Sequence, residues 1–172
     1  PVPVAYDALL TSISVIPAIA AALLGFYLLK TATMHLRQIV VGGFLMGLGI
    51  AAMHYTGMAA LKMQPAISYN SLLFVISVAI AVVAAISALI IMYAGEKSGL
   101  SLLLRHMLGA LIMGFAIAGM HYTGMAAADF APGSVCTVIG ASIEPTLLSF
   151  VIAGIVFFLF TGGWIASFLE RR

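Results

Sequence analysis

The sequence predicts an all-α fold, a polytopic membrane helix bundle of five transmembrane helices built from a tandem two-helix repeat. Hydrophobic residues make up 64% of the 172 positions and charged residues only 7%, with a mean hydropathy of +1.23. Soluble domains, in contrast, carry about 25% charged residues. The apolar residues gather in five long segments, and one stretch of the sequence occurs twice. Together these observations indicate an integral membrane domain.

Each apolar segment is close to the ~20 residues that a helix needs to cross a bilayer. We treat all 172 residues as one transmembrane domain, with helices predicted at about 8–29, 38–61, 70–93, 105–128 and 146–168. The net charge of +2 is small and scattered, which argues against a nucleic-acid partner and leaves the lipid bilayer as the expected surroundings. The single cysteine, Cys136, is predicted to be a free thiol in a loop.

The basic residues predict the orientation of the bundle. Lys30 and Arg105 flank two of the connections, and Arg171 and Arg172 end the chain. The positive-inside rule places these segments in the cytoplasm. The N-terminus is then outside and the C-terminus inside, with Lys62 as a contrary cation on the outer side.

The repeated stretch is Met-His-Tyr-Thr-Gly-Met-Ala-Ala, at 53–60 and again at 120–127. The similarity continues upstream at the same offset, where Gly42 pairs with Gly109. We therefore interpret the chain as two two-helix units with one further helix left over. The two motif helices then run parallel, and their histidines lie at the same depth near the outer face.

Residues four apart share a face of a helix. His54 therefore lies beside Met58 and above a line of small residues, and His121 lies beside Met125 above an equivalent line. The small residues are Ala51, Gly47 and Gly43 in the first copy and Ala118, Gly114 and Ala110 in the second. Small residues at this spacing let membrane helices approach closely, so we expect the histidine face to be the packed face in both copies.

A histidine within a membrane segment is a functional-site hypothesis, and imidazole with thioether suits copper, in particular Cu(I), better than hard cations. The predicted metal ligands are His54, Met58, His121 and Met125, with Met53 and Met120 as further candidates. Met53 and Met120 lie off the histidine face, where packing is the alternative role. Tyr55 and Tyr122 are the predicted cofactor-contacting residues, since each can orient a bound ligand or an imidazole. A purely structural role for all these side chains is the competing interpretation.

The segments 49–60 and 116–127 also carry a resemblance. Their sequences, Gly-Ile-Ala-Ala-Met-His-Tyr-Thr-Gly-Met-Ala-Ala and Ala-Ile-Ala-Gly-Met-His-Tyr-Thr-Gly-Met-Ala-Ala, are similar to the pattern of the MHYT domain, a bacterial membrane-embedded sensor module. The resemblance implies sensing of a diatomic gas (O2, CO or NO) through a bound metal, with copper favoured. It also implies a place in the bacterial cytoplasmic (inner) membrane and a C-terminal cytoplasmic signalling domain, often one that makes or degrades cyclic di-GMP.

The sequence departs from that family pattern in one respect. MHYT domains usually carry three motifs on six or seven helices, whereas two motifs and five apolar segments are present here. The chain begins at Pro1 rather than Met, and the stretch from Pro1 to Asp7 resembles the loop that follows the first motif. The resemblance therefore implies a longer parent protein with a further motif-bearing helix upstream, whose histidine would add to the ligand set.

Three classes of function follow from these residues. The preferred one is a sensory binding module for a gas or a redox change, with no enzymatic activity in this segment; a homodimer is left open. The alternative is a haem-binding or electron-transfer protein, with His54 and His121 as axial ligands of haem b. A metal transporter ranks lowest, because Asp129 and Glu144 both fall outside the apolar segments.

Overall fold

The computed structural model describes residues 5–29, 35–97, 99–138 and 141–169. Within them the chain forms five helices: α1 (Ala8–Leu29), α2 (Leu36–Ala59), α3 (Ser71–Lys97), α4 (Leu102–Ala127) and α5 (Pro145–Leu169). The predicted all-α fold with five helices is therefore confirmed. Lys30, Arg171 and Arg172, on which the predicted orientation partly depends, lie outside the described residues, as do residues 1–4.

Within the described residues, four of the helices are long and apolar enough to cross a membrane. These spans are Ala8–Leu28, Leu36–Ala59, Ser71–Tyr93 and Leu103–Ala127, and α5 contributes the shorter apolar stretch Pro145–Leu159. Large apolar side chains cover the outside of the bundle, with Phe26 66% exposed and Phe115 77% exposed. Lipid tails accommodate such side chains, whereas water does not. The chain is a multi-pass membrane protein.

Side-chain caps begin α1 and α3 at equivalent positions of the repeat. The carboxylate of Asp7 accepts the backbone N–H of Leu10 at 2.9 Å. The side-chain oxygen of Asn70 accepts the N–H groups of Leu72 and Leu73 at 3.0 and 3.2 Å. Asp and Asn are favoured at this position because their oxygens satisfy N–H groups that have no partner within the helix.

Successive helices pack on one another, α1 on α2, α2 on α3 and α3 on α4, and α2 also touches α4. Since α3 connects α2 to α4 and packs against both, the two motif helices run parallel, as the repeat predicts. Leu28, Ile39 and Leu89 form a buried cluster where α1, α2 and α3 meet. In the described part of α5, every side chain from Val151 to Leu159 is exposed.

Three short antiparallel strand pairs close one end of the bundle. They are β1 (Tyr6–Asp7) with β6 (Ser142–Ile143), β2 (Met63–Gln64) with β5 (Val135–Cys136), and β3 (Ser68–Tyr69) with β4 (Ala128–Asp129). The sequence predicts little regular structure in the loop from Phe130 to Pro145, whereas β5 and β6 lie within it. Two-residue strands take their partners from distant loops and therefore leave no local sequence pattern. Cys136 is a free thiol, but it lies in β5 rather than in an irregular loop.

An ion pair joins two of the loops at this end. Lys62 Nζ lies 2.5 Å from Oδ2 of Asp7. This hydrogen bond, with that from the Leu10 N–H, holds the pKa of the Asp7 carboxyl below its ordinary value of 3.8. Lys62 is the cation that opposes the predicted orientation, and its charge is compensated by the carboxylate of Asp7.

Candidate metal centre

One face of α2 is buried along its length, through Gly43, Gly47, Ala51, His54 and Met58. A Cβ at Gly47 would lie 2.5 Å from the Cα of Val82, and one at Gly43 would lie 2.7 Å from the Cα of Ile86. Both distances are far below normal contact, so the backbones of α2 and α3 meet where only glycine fits. The prediction that the histidine face is the packed face is confirmed for α2.

The equivalent face of α4 is exposed, so the same prediction is wrong for the second copy. The exposed residues are Ala110, Gly114, Ala118 and His121. A groove of about 550 Å³ runs along the first three of them. The reason is that α3 packs on another face of α4, where the buried Ala116 lines a common cavity with Ile80 and Val83 of α3. Within the described residues, no helix covers the groove.

The structure brings the two motif histidines together at one depth. The ring centroids of His54 and His121 are 5.2 Å apart, in a T-shaped contact with an interplanar angle of 83°. His54 is only 7% exposed, whereas His121 is exposed. Among the described residues, Nε2 of His54 is buried and has no hydrogen-bond partner. A buried imidazole nitrogen without a partner is costly, which makes this atom chemically unusual within the bundle.

Gly124 of the second motif leaves the space into which His54 points. A Cβ at Gly124 would lie 2.5 Å from Nε2 and 2.9 Å from Cδ2 of His54. At Gly57, the equivalent position of the first motif, the nearest atom to such a Cβ is Oγ of Ser14 at 3.9 Å. The contact between the two motifs is therefore asymmetric: the histidine of the first motif packs against the glycine of the second, and the reverse contact is not made.

Tyr55 is held on several sides. Its ring centroid lies 4.5 Å from that of Phe74, 5.5 Å from that of Tyr69 and 4.9 Å from that of His54. Its hydroxyl lies 2.6 Å from Oγ of Ser77 on α3. Outside the spans, burial and then the neighbouring Tyr55 raise the pKa of the Tyr69 hydroxyl. Tyr55 is thus a fixed part of the surroundings of His54.

Tyr122, the second predicted cofactor-contacting residue, is placed differently. It is 73% exposed, and its ring centroid lies 5.4 Å from that of His121. The two copies of the motif have the same sequence but unequal surroundings, because α3 covers Tyr55 and leaves Tyr122 uncovered.

The predicted methionine ligands also differ between the copies. Met58 is 6% exposed and Met125 is 37% exposed, each on the same helix face as its histidine. Met53 is half-buried, and Met120, at 1% exposure, is the largest fully buried side chain among the described residues. Full burial matches the packing role that helical geometry offers for Met120. Metal binding by any of these methionines stays a prediction.

Two residues near the paired histidines are not predicted from the sequence. Ser77 is 0% exposed and is a polar residue within the apolar segment 70–93, which is the signal that could have identified it. Gly124 belongs to the repeated motif, but its contact with His54 depends on how α2 and α4 pack. No sequence pattern indicates that contact.

The chain is similar to a known protein family and to several known signalling proteins. Residues 1–43, 47–105 and 114–172 match the MHYT family, described as a bacterial signalling protein N-terminal repeat. The chain is 40% identical over 172 residues to the bifunctional diguanylate cyclase/cyclic di-GMP phosphodiesterase MucR of Pseudomonas aeruginosa, covering 100% of this chain and 25% of that protein. It is 38% identical over 128 residues to the cyclic di-GMP phosphodiesterase NbdA of the same species, covering 74% of this chain and 16% of that protein.

A third relative is the signaling protein YkoW of Bacillus subtilis, which is 30% identical over 165 residues, covering 91% of this chain and 20% of that protein. The chain therefore spans a quarter or less of the length of these three relatives. No solved structure matches the chain. Because the family repeat matches most of the chain in three successive stretches, the chain belongs to the MHYT family of bacterial signalling proteins.

Proposed function

We propose that this chain is a membrane-embedded sensory module in which copper, held by the two motifs, responds to a diatomic gas or to redox state. The observation that carries the proposal is the buried, unpartnered Nε2 of His54 beside the ring of His121. A ligand bond offsets the cost of burying an imidazole nitrogen in an apolar environment. A soft ion such as Cu(I) accepts nitrogen and sulfur ligands and does not require oxygen ligands.

The side chains present fit copper. The absence of a side chain at Gly124 lets Nε2 of His54 lie close to the backbone of α4, where any Cβ would collide with it. His54 and His121 would supply imidazole nitrogen, and Met58 and Met125 would supply thioether sulfur, which is the donor set that Cu(I) prefers. Bound copper would supply a redox-active centre able to take a diatomic ligand such as O2, CO or NO.

The two histidines differ in how tightly the neighbouring helices hold them. His54 lies on the face of α2 that meets α3 backbone to backbone at Gly43 and Gly47, so its position is tied to α3. His121 lies on the exposed face of α4, so a change in its position meets less resistance. A signal requires that the bound state prefers one spacing of the two histidines. The exposed side chain of His121 has room to adjust to that spacing, while α4 itself stays packed on α3.

The ring contact favours a single ion over haem b, the alternative cofactor. A haem with two axial histidines requires a flat slot between the two imidazoles. Here the rings of His54 and His121 touch edge to face, and the unpartnered nitrogen faces the backbone of Gly124. A macrocycle would have to separate α2 from α4.

We further propose that the signal passes to a C-terminal cytoplasmic domain that makes or degrades cyclic di-GMP, with the N-terminal side of this chain outside the inner membrane. The relatives MucR and NbdA are named for cyclic di-GMP enzymes, and this chain spans only a small part of each. Arg37 and Arg105 at the opposite end of the bundle outnumber Lys62 at the motif end, which agrees with this orientation by the positive-inside rule. Catalysis would then lie outside the present chain.

Metal analysis of the purified protein tests the proposal. We expect copper in the parent protein, loss of that copper in the H54A/H121A variant, and retention in H35A/H106A, whose histidines lie outside the motifs. Under CO, the reduced parent protein should show an infrared C–O stretch of a copper adduct that H54A/H121A lacks. Full metal content in H54A/H121A, or an intense Soret band in the parent protein, would contradict the copper assignment.

A further inference from the structure

The hydroxyl of Ser77 joins Tyr55 to the backbone of α3. Ser77 is completely buried, and its Oγ lies 2.6 Å from the hydroxyl oxygen of Tyr55. The same Oγ lies 2.7 Å from the carbonyl oxygen of Phe74, one turn earlier in α3. Both distances are typical of strong O–H···O hydrogen bonds.

These two contacts determine which group donates. A carbonyl oxygen only accepts, and a serine hydroxyl has one proton. Ser77 must therefore donate to Phe74, and the hydroxyl of Tyr55 must donate to Ser77. The phenolic proton of Tyr55 is used within the α2–α3 contact, so only lone pairs of its oxygen are left for other partners.

Those lone pairs lie close to the paired histidines. The Tyr55 oxygen is 3.4 Å from the position that a Cβ of Gly124 would take, and Nε2 of His54 is 2.5 Å from the same position. The packing of the Tyr55 ring on Phe74, at 4.5 Å between centroids, opposes rotation away from this point. Tyr55 therefore presents an acceptor, and not a donor, beside Nε2.

We infer that Ser77 is a positioning residue of the motif site, which holds Tyr55 as a hydrogen-bond acceptor and so selects partners that carry an N–H or O–H donor. Such a partner is an imidazole N–H or a water molecule held beside the site. The assignment of donor and acceptor stands by itself. Only its consequence for ligand binding rests on the proposed function.

The repeat shows that this arrangement belongs to one motif copy. Ser14 follows Leu9-Leu10 as Ser77 follows Leu72-Leu73, and it likewise donates to a carbonyl three residues earlier, at 2.7 Å. The residue of α5 at the same spacing after Leu147-Leu148 is Ile152, which has no hydroxyl. Tyr122 thus has no equivalent serine on the helix that follows it, in agreement with its exposure.

Ultraviolet resonance Raman spectroscopy of the metal-free protein tests the donor assignment, because the tyrosine Fermi doublet differs between donating and accepting phenols. The Tyr55 signal is the difference between the parent protein and Y55F. We expect a donating phenol in the parent, its loss in S77A and its retention in S14A, with circular dichroism confirming that each variant is folded. An accepting-only Tyr55, or an unchanged signal in S77A, would overturn the inference.

Copper affinity tests the consequence for the site. Residues behind a ligand shell typically change metal affinity by 10–100-fold, so we expect S77A to weaken copper binding by about tenfold. Because Ser77 acts through Tyr55, S77A should have no further effect in the Y55F background. If the effects of S77A and Y55F on copper affinity add, Ser77 has a merely structural role and the inference is overturned. A parent protein that binds no copper would refute the proposed function, while the Raman result would still decide the role of Ser77.

Discussion

Nε2 of His54, on α2, points at the backbone of Gly124, on α4. It lies 2.5 Å from the position that a Cβ of residue 124 would occupy. The two residues belong to different copies of one motif. This contact determines how close the two motif helices come at the depth of the histidines. Residue 124 therefore has a steric role that residue 57 does not share.

The first prediction compares these two glycines. G124A should destabilise the protein by about 1–3 kcal/mol, as expected for overpacking, because the new Cβ collides with a buried ring. G57A should be neutral or stabilising by up to ~1 kcal/mol, since alanine has the higher helix propensity. Thermal unfolding in detergent, followed by circular dichroism, measures both. Equal Tm values for the two variants would show that the contact between His54 and Gly124 does not contribute to stability.

A second prediction concerns the seam between α2 and α3. G47A should lower the Tm strongly, because its Cβ would lie 2.5 Å from the backbone of Val82. G114A changes the equivalent glycine of the second copy, where a Cβ would meet no atom of the described residues within 4 Å, and should leave the Tm unchanged or higher. The same unfolding assay compares them. Similar losses in both variants would mean that a helix covers the groove of α4.

Acid should weaken the contribution of the ion pair between Asp7 and Lys62 to the stability of the fold. The folded protein lowers the pKa of Asp7 below 3.8, so the pair stabilises the fold above that pH and the contribution is lost as the pH falls through the folded pKa. D7N keeps the helix cap, because Asn caps as well as Asp. We expect D7N and K62M to have a lower Tm than the parent at pH 7 and to approach it below about pH 4. A difference that is independent of pH would refute this.

The orientation is tested by thiol labelling in a background without the native cysteine, C136S. A66C lies in the loop after α2, and L100C lies in the loop between α3 and α4; both positions are exposed. If the motif end faces outside, a membrane-impermeant maleimide should label A66C on intact cells and L100C only after permeabilisation. The reverse pattern would show the opposite orientation.

Much of the fold could be predicted because its signals are local. Apolar length identifies the helices, as for α1, whose observed bounds Ala8–Leu29 equal the predicted ones. The spacing of Gly43, Gly47 and His54 identifies the packed face of α2, because residues on one helical face recur every three or four positions. The short strands were not predictable, since each takes its partner from a distant loop.

The sequence by itself determined that this is a membrane helix bundle and that two identical motifs bring two histidines to one depth, because length, hydropathy and helical periodicity depend only on neighbouring residues. Only the tertiary structure decided that the two motifs are unequal. His54 is buried against Gly124 and flanked by a tethered Tyr55, whereas His121 and Tyr122 are exposed. The physical reason is that burial depends on which helix covers a face: α3 covers the motif face of α2 and packs on a different face of α4.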